Sequence, residues 1–325
     1  MLRFIVRRLL WSIPVLLIAS ILVFVAVRAT TDPVQAAARN PHVTPRALVQ
    51  YEHDLGLDKS QPEQYGIWLS HFVRGDLGTS LVTNGPVWPD LRSALANSLV
   101  LGLLATAIAI LIGIAIGVVS AIKQYSIVDH VSSALAFLGL SMPTFWFALI
   151  LIVLTGTFWE THFHSASPLL PSGGIYSPGH VGFSLSDRLR HLILPGIVLA
   201  VQIVAEYSRY MRTSMLEVLS SDYLRTARAK GISERRVIVR HAMRNALIPL
   251  ATFSAIDIGA IAGGLIVTEF VFSYPGMGQY FLNVFQSGDY RGVLAWMMIV
   301  MVFVIIANLL ADLSYAWLDP RIRVD

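Results

Sequence analysis

The chain has 325 residues, 55% of them apolar and only 14% charged, with a formal net charge of +4 and no cysteine. Several apolar runs reach the roughly 20 residues that cross a bilayer, so the composition indicates an integral membrane protein. The absence of cysteine excludes disulfides, thiolate metal sites and a cysteine nucleophile. The basic excess lacks the aromatic-basic pattern of nucleic-acid binding.

The first apolar run, residues 9–27, predicts a transmembrane helix that is retained in the chain. Arg3, Arg7 and Arg8 precede it, as in a signal peptide, but the run is long for such a peptide and no clear small-residue cleavage site follows. The three arginines predict a cytoplasmic N-terminus. We assign this first transmembrane segment to residues 1–28.

A polar, proline-rich segment at residues 29–96 is expected outside the cytoplasm. Its middle carries aromatic and apolar residues at helical spacing, which predicts an interfacial helix with an aromatic edge. The segment can dock a partner protein or pack as a lid over the other helices, and the pattern leaves both possibilities open. The residues that form the aromatic edge are Tyr65, Trp68, Leu69 and Phe72.

Two of the following apolar helices carry small residues at strict four-residue spacing. Such stripes let helices approach closely, so both helices are predicted to lie inside a bundle. The predicted second helix, 98–122, has Ala105, Ala109, Gly113, Gly117 and Ala121, and the predicted fifth helix, 246–272, has Ala251, Ala255, Gly259 and Gly263.

Three further helices complete the predicted set of about six spans. The third, 131–158, is expected to kink at Ser141, Met142 and Pro143. The fourth begins at 188 and continues to about 211, and the sixth covers 293–318, with Arg321 and Arg323 beyond it. Both termini are therefore predicted in the cytoplasm.

The loop at 159–191 contains three histidines. Exposed loop histidines without fixed ligand spacing are usually solvated, so no metal site is predicted for His162, His164 and His180.

The longest polar and basic segment, 220–249, lies between the fourth and fifth helices. Ser221 or Asp222 can cap a short helix that Gly231 ends, and Ser233 can cap a second one. The small side chains before the glycine would let this turn seat closely in a groove of another protein.

This segment resembles the EAA loop of bacterial ABC importer permeases, in which two small residues follow an acidic one and a glycine comes four positions after the second. Arg225, Thr226, Ala227 and Gly231 occupy those places here, with Arg225 replacing the acid and Thr226 the first alanine. RTARAKG followed by RHAMRNALIP is similar to the oligopeptide, dipeptide and nickel importer branch. The likeness continues in RGDLGTS, RLRHLILPG, EFVFSYPGMG and the terminal YAWLDPRIR.

The resemblance implies an all-α, polytopic membrane protein with the type I ABC importer permease fold and an extracytoplasmic segment between helices one and two. The permease core would be 97–318, including a coupling loop at 213–249, and 319–325 would be a cytoplasmic tail. The residues expected to contact the ATPase are Tyr223, Arg225, Thr226, Ala227, Lys230, Gly231, Ser233 and Arg235.

The same resemblance implies a B-type permease subunit of the bacterial inner membrane. It would form the translocation pathway for short peptides, together with a second homologous permease, two ATPase domains and an extracytoplasmic binding protein. No cofactor is expected in this chain, because ATP and Mg²⁺ would bind the ATPase subunits. Import of nickel or another small solute is the alternative within the family.

Candidate residues for the pathway or its gate are Ser141, Met142, Asp257, Thr268 and Glu269. A carboxylate at the depth of Asp257 is costly in a membrane and so is a functional candidate, but a hydrogen bond to a neighbouring helix explains it equally well. Glu269 can shape an outer gate or can simply lie at the membrane interface.

The sequence fits two other functional classes less well than a permease. A gradient-driven transporter would use Asp257 and Glu206 as relay groups and predicts inverted repeats, of which the sequence shows no convincing example. An intramembrane hydrolase built on Ser141 lacks a histidine base in helices five and six, and no HExxH motif is present. The chain also lacks a P-loop, so transport driven by ATP requires an ATPase partner.

Overall fold

The computed structural model describes residues 2–30, 34, 38, 44–54, 56–81, 83–165, 167–180 and 182–318. These parts of the chain are largely helical and contain no β-strand, only an isolated bridge between Thr79 and Pro86. The all-α fold class is therefore confirmed. The tail expected at 319–325 lies outside the described residues.

The helices are numbered here in chain order. They are α1 (Leu2–Thr30), α2 (Pro45–Asp54), α3 (Gln61–Val73), α4 (Val87–Ile122), α5 (Ile127–Ser141), α6 (Thr144–Val153), α7 (Leu185–Leu219), α8 (Asp222–Ala229), α9 (Met243–Ile261), α10 (Ile266–Val271), α11 (Met277–Gln286) and α12 (Tyr290–Leu318). Helix α6 continues through a π-helical turn at Leu154–Phe158 to Trp159–His162, and α9 follows a turn at Glu234–Arg236 and a π-helical turn at Val237–Ala242.

Within the described residues, five helices are long and apolar enough to cross a membrane. These are Ile5–Thr30, Val87–Ile122, Thr144–His162, Leu185–Leu219 and Tyr290–Leu310. The predicted third span is not one kinked helix but two, α5 and α6. Met142 is extended, with φ −82° and ψ 121°, because a residue before proline avoids the helical region.

The predicted fifth helix, 246–272, is also divided, and its expected continuity is wrong. Helix α9 ends at Ile261, and Gly264 has φ +86° before α10 begins. A Cβ on Gly264 would collide with the backbone of Gly278. A glycine is therefore needed here both for its left-handed conformation and for the close approach.

Helices α4 and α7 form the centre of the bundle and run parallel. One buried cluster joins their N-terminal halves through Leu101 and Val198, and another joins their C-terminal halves through Ala121 and Met211. The small-residue stripe of α4 faces this contact, as predicted. A Cβ on Gly117 would lie 2.6 Å from the Cβ of Met211, so the two helices could not pack this closely with a larger residue.

Helix α12 runs antiparallel to both α1 and α9. Phe24 near the end of α1 packs against Leu294 near the start of α12, while Arg8 forms a 2.8 Å ion pair with Asp312. The N-terminal half of α1, the C-terminal half of α12 and helix α8 consequently lie together, at what we call the loop end. Helices α3, α10 and α11 lie at the opposite end.

The predicted interfacial helix exists as α3, and its aromatic edge packs inward. The rings of Tyr65 and Trp68 lie 5.5 and 5.7 Å from that of Phe24, and the hydroxyl of Tyr65 lies 2.8 Å from that of Ser20. Helix α3 thus covers the end of α1. Helix α4 begins at Val87, well before the predicted residue 98, and α11 was not predicted at all.

Candidate functional site

Helix α8 at the loop end is terminated by Gly231, as the sequence predicts. Gly231 has φ +74°, and its N–H donates to the carbonyl of Arg228 at 2.9 Å, while the N–H of Ile232 reaches that of Ala227 at 3.4 Å. This pair of bonds is a Schellman motif, in which a left-handed glycine satisfies the last carbonyls of a helix.

One face of α8 is fixed to the rest of the chain. Leu224 is fully buried and Ala227 is 8% exposed, in a cluster that also contains Met211, Met215 and Val237. Ala227, expected at the ATPase contact, therefore lies mainly inside its own chain. These side chains pack α8 directly against α7.

The predicted N-caps Ser221 and Ser233 occupy N-cap positions but their side chains do not cap. The hydroxyl of Ser221 instead donates to the carbonyl of Val218 at 2.5 Å, which ties α8 to the end of α7.

Two polar contacts hold α8 against the segment that follows it. The guanidinium of Arg228 donates to both carboxylate oxygens of Glu234 at 3.0 and 2.9 Å, and these bonds hold the pKa of Glu234 below its usual value. Asn245 donates to the hydroxyl of Tyr223 at 2.7 Å. Helix α8, the turn and the start of α9 thus form one braced unit.

The opposite face of this unit is exposed and basic. Tyr223 is 45% exposed, and the side chain of Arg225 is 73% exposed. The structure brings the predicted contact residues together on this surface, apart from Ala227. The other exposed members are Thr226, Lys230, Gly231, Ser233 and Arg235.

A buried ion pair near the loop end was missed by the sequence analysis. The guanidinium of Arg212 on α7 donates to both oxygens of Asp129 at 2.6 and 2.8 Å, and the hydroxyl of Ser120 donates to the same carboxylate. Asp129 is only 3% exposed. No local pattern signals this pairing, because 83 residues separate Asp129 from Arg212.

The break between α5 and α6 carries two of the candidate pathway residues. Gln202 of α7 donates to the carbonyl of Met142 at 3.2 Å and accepts from the hydroxyl of Thr144 at 3.0 Å, so the freed backbone group is satisfied. Ser141 is exposed. Met142 lines an apolar groove of about 550 Å³ between α4, α5 and α7.

Glu269 and Thr268 are deeply buried at the opposite end. The Glu269 carboxylate accepts from the hydroxyl of Ser98 at 2.5 Å and from the N–H groups of Leu265, Gly278 and Gln279 at 3.1, 2.7 and 3.2 Å. The N–H groups of Gly278 and Gln279 lie in the first turn of α11, and the N-terminus of a helix attracts negative charge. Glu269 therefore fastens α10 and α11 to α4.

Asp257 lies on α9 and accepts a hydrogen bond from the hydroxyl of Tyr207 on α7 at 2.6 Å. The interhelical hydrogen bond expected as one explanation for this carboxylate is thus present. Glu206, next to Tyr207 in the chain, is half-buried. One turn further along α7, Tyr210 stacks on Phe253 of α9 with ring centroids 4.3 Å apart.

No group of three or more metal-ligating side chains occurs in the described part of the chain. Two of the three loop histidines make ring contacts instead, His162 with Phe158 at 5.0 Å and His180 with Tyr176 at 5.4 Å.

Comparison with known families gives two matches that together cover most of the chain. Residues 113–324 match the binding-protein-dependent transport system inner membrane component, and residues 1–101 match the N-terminal model of the corresponding membrane component.

Relatives that match the chain over its full length are named as peptide permeases. The chain is 40% identical to the oligopeptide transport system permease protein AppB of Bacillus subtilis, covering 99% of this chain and 100% of AppB. It is 38% identical to the dipeptide transport system permease protein DppB of Escherichia coli K12, covering 99% of each.

A solved structure shares the fold. The chain aligns with a chain of the MetNI methionine ABC transporter in an inward-facing conformation with a TM-score of 0.53 and 14% identity, covering 70% of this chain and 96% of the other. The type I permease fold is therefore present here.

Proposed function

Because the chain belongs to the family of binding-protein-dependent transport system inner membrane components, we propose that it forms part of the translocation pathway for short peptides in an ATP-binding cassette importer. The observation that carries this proposal is full-length similarity to permeases named for oligopeptides and dipeptides. The protein is a multi-pass component of the inner membrane.

In this proposal the energy comes from ATP and Mg²⁺ bound to separate ATPase subunits, because the sequence contains no P-loop. The exposed face of α8 supports a contact with those subunits, since its opposite face is packed on α7. Closure of the ATPases would push on α8 and tilt the central helices between inward-facing and outward-facing arrangements.

A second homologous permease and an extracytoplasmic binding protein complete the proposed importer. The apolar groove beside Met142 supports a helix-to-helix contact with the second permease. We propose that the loop end lies in the cytoplasm. Arg8 of α1 lies there with the basic face of α8, which is in keeping with the positive-inside rule. Both termini are then cytoplasmic.

The test is uptake of radiolabelled di- to pentapeptides into vesicles that contain the complete importer. We compare wild type with Gly231→Pro and with Gly231→Asn. Proline cannot adopt φ +74° and has no N–H to donate to Arg228, whereas asparagine tolerates the left-handed region.

We expect ATP-dependent uptake in wild type, a loss of at least about tenfold in the proline variant and near-normal uptake in the asparagine variant. Uptake that persists without ATP and collapses with a proton-gradient uncoupler would refute the proposal. Uptake of labelled nickel in place of any peptide would move the protein to the alternative substrate within the family.

A further inference from the structure

Helices α7 and α9 place two carboxylates side by side within their apolar lengths. Glu206 and Asp257 are both half-buried, and each lies one turn along its helix from the stacked rings of Tyr210 and Phe253. A charged side chain inside a bilayer is costly and is retained mainly where it faces a cavity or a charged partner. Two neighbouring carboxylates raise that cost further, because like charges repel.

No described basic residue neutralises this pair. Asp257 has a hydrogen bond from Tyr207, but neither carboxylate forms an ion pair in the described parts of the chain. The two arginines nearest along α7 have other contacts, since Arg209 lies 4.7 Å over the ring of Phe137 and Arg212 binds Asp129. A positive charge that balanced this pair would therefore come from outside these residues.

The surroundings of the pair are those of a site for an organic cation. Tyr210 and Phe253 stack one turn away on the same two helices, and aromatic faces attract ammonium groups. Tyr210 is 40% exposed and Ile256, beside Asp257, is 49% exposed. A molecule that moves along this side of α7 and α9 can therefore reach the carboxylates.

We propose that Glu206 and Asp257 bind the α-ammonium group of the peptide during its passage through the permease. This inference rests on the proposed transport of peptides. It assigns the chain a role in substrate recognition that is separate from capture by the binding protein, because it concerns a site between two membrane helices. A basic residue of the second permease is the competing source of positive charge.

The first measurement uses the absence of cysteine from the chain. In the complete importer in proteoliposomes, a single thiol is introduced as Glu206→Cys or as Ile256→Cys, and the wild-type chain gives the background from the other subunits. We compare labelling by a trimethylammonium methanethiosulfonate with labelling by its sulfonate counterpart. Thr161→Cys, an exposed position at the end of the α6 segment, is the matched control.

We expect the cationic reagent to react about tenfold faster than the anionic one at position 256, where both carboxylates remain, relative to the ratio at position 161. Adding Asp257→Asn should reduce that preference. Trialanine should slow the labelling, whereas N-acetyl-trialanine, which lacks the ammonium group, should not. Position 206 provides a second thiol in case one variant does not fold.

The second measurement is the maximal uptake rate with saturating binding protein. Glu206→Gln with Asp257→Asn should lower the rate for trialanine about tenfold while leaving affinity of the binding protein unchanged, and Glu160→Gln is the control carboxylate. Equal labelling by the two reagents, or equal protection by the two peptides, in an importer that still transports peptide would overturn this inference. Absence of ATP-dependent peptide uptake in wild type would instead overturn the proposed function.

Discussion

The buried carboxylate of Glu269 provides the sharpest test of how the opposite end of the bundle is held. Replacement by glutamine keeps the size of the side chain but converts one oxygen, an acceptor, into an NH2 group, a donor. Each carboxylate oxygen now accepts from two donors: Oε1 from Ser98 and Leu265, and Oε2 from Gly278 and Gln279. Glutamine can satisfy only one of these pairs.

The least damaging orientation places the NH2 group at the Oε1 position. The hydroxyl of Ser98 can then rotate to accept, as it already does from the N–H of Met277 at 2.7 Å, but the N–H of Leu265 loses its partner. A buried bond to a charged acceptor contributes about 1.5–3 kcal/mol, and an unpaired buried donor costs about 1–3 kcal/mol. Since these two terms overlap, we expect a destabilisation of about 2–4 kcal/mol.

Thermal unfolding of the detergent-solubilised protein measures this effect. We expect Glu269→Gln to lower the midpoint by about 4–16 °C, on the scale of about 2–4 °C per kcal/mol known for domains of 150–250 residues. Amide exchange at Leu265, whose N–H loses its acceptor, should also become faster. The exposed Glu63→Gln on α3 is the control. A midpoint equal to that of the control would refute the role assigned to this carboxylate.

Three further predictions concern the loop end and the central helix pair. Arg228→Glu should lower peptide uptake, and adding Glu234→Arg in the same chain should restore it; uptake that is not restored would show that the pair has no bracing role. Because the pKa of Glu234 is lowered, the ion pair should persist from neutral pH down to the usual pKa of glutamate. It should be lost as the pH falls through the lowered pKa, which an NMR titration measures. Gly117→Val should destabilise the folded protein by about 1–3 kcal/mol through overpacking, whereas Gly196→Ala should not, because a Cβ at that position meets open space. Equal unfolding midpoints of the two variants would contradict the close contact between α4 and α7 at Gly117. Arg212→Ala should destabilise by about 3–5 kcal/mol by leaving a buried carboxylate unpaired, and unchanged thermal stability would show that the ion pair is dispensable.

Local sequence patterns predicted the features that depend on local chemistry. Gly231 ends a short helix because only a residue tolerant of positive φ completes the turn there. The small-residue stripe of α4 faces α7 because spacing along a helix fixes which residues share a face. The interfacial helix α3 was also predicted, although its aromatic edge packs on Phe24 of α1.

The missed features depend on contacts between distant parts of the chain. The division of the fifth predicted helix occurs inside an apolar run, and it is fixed by the approach of Gly264 to Gly278, which no local pattern reports. Helix α11 was missed because its sequence directly follows a Pro-Gly turn and reads as the exit from the membrane. The bonds of Glu269 to Ser98 and of Asp129 to Arg212 join residues 171 and 83 positions apart.

The length of α7 has a mechanical consequence. Its 35 residues make a rod of about 52 Å, longer than the roughly 30 Å hydrocarbon core. Buried clusters fix α7 to α4 along both halves of the two helices, so the pair is stiffer than either helix alone. Because α8 is packed on the last turns of α7, a force applied to α8 would be carried along both helices as along a single strut.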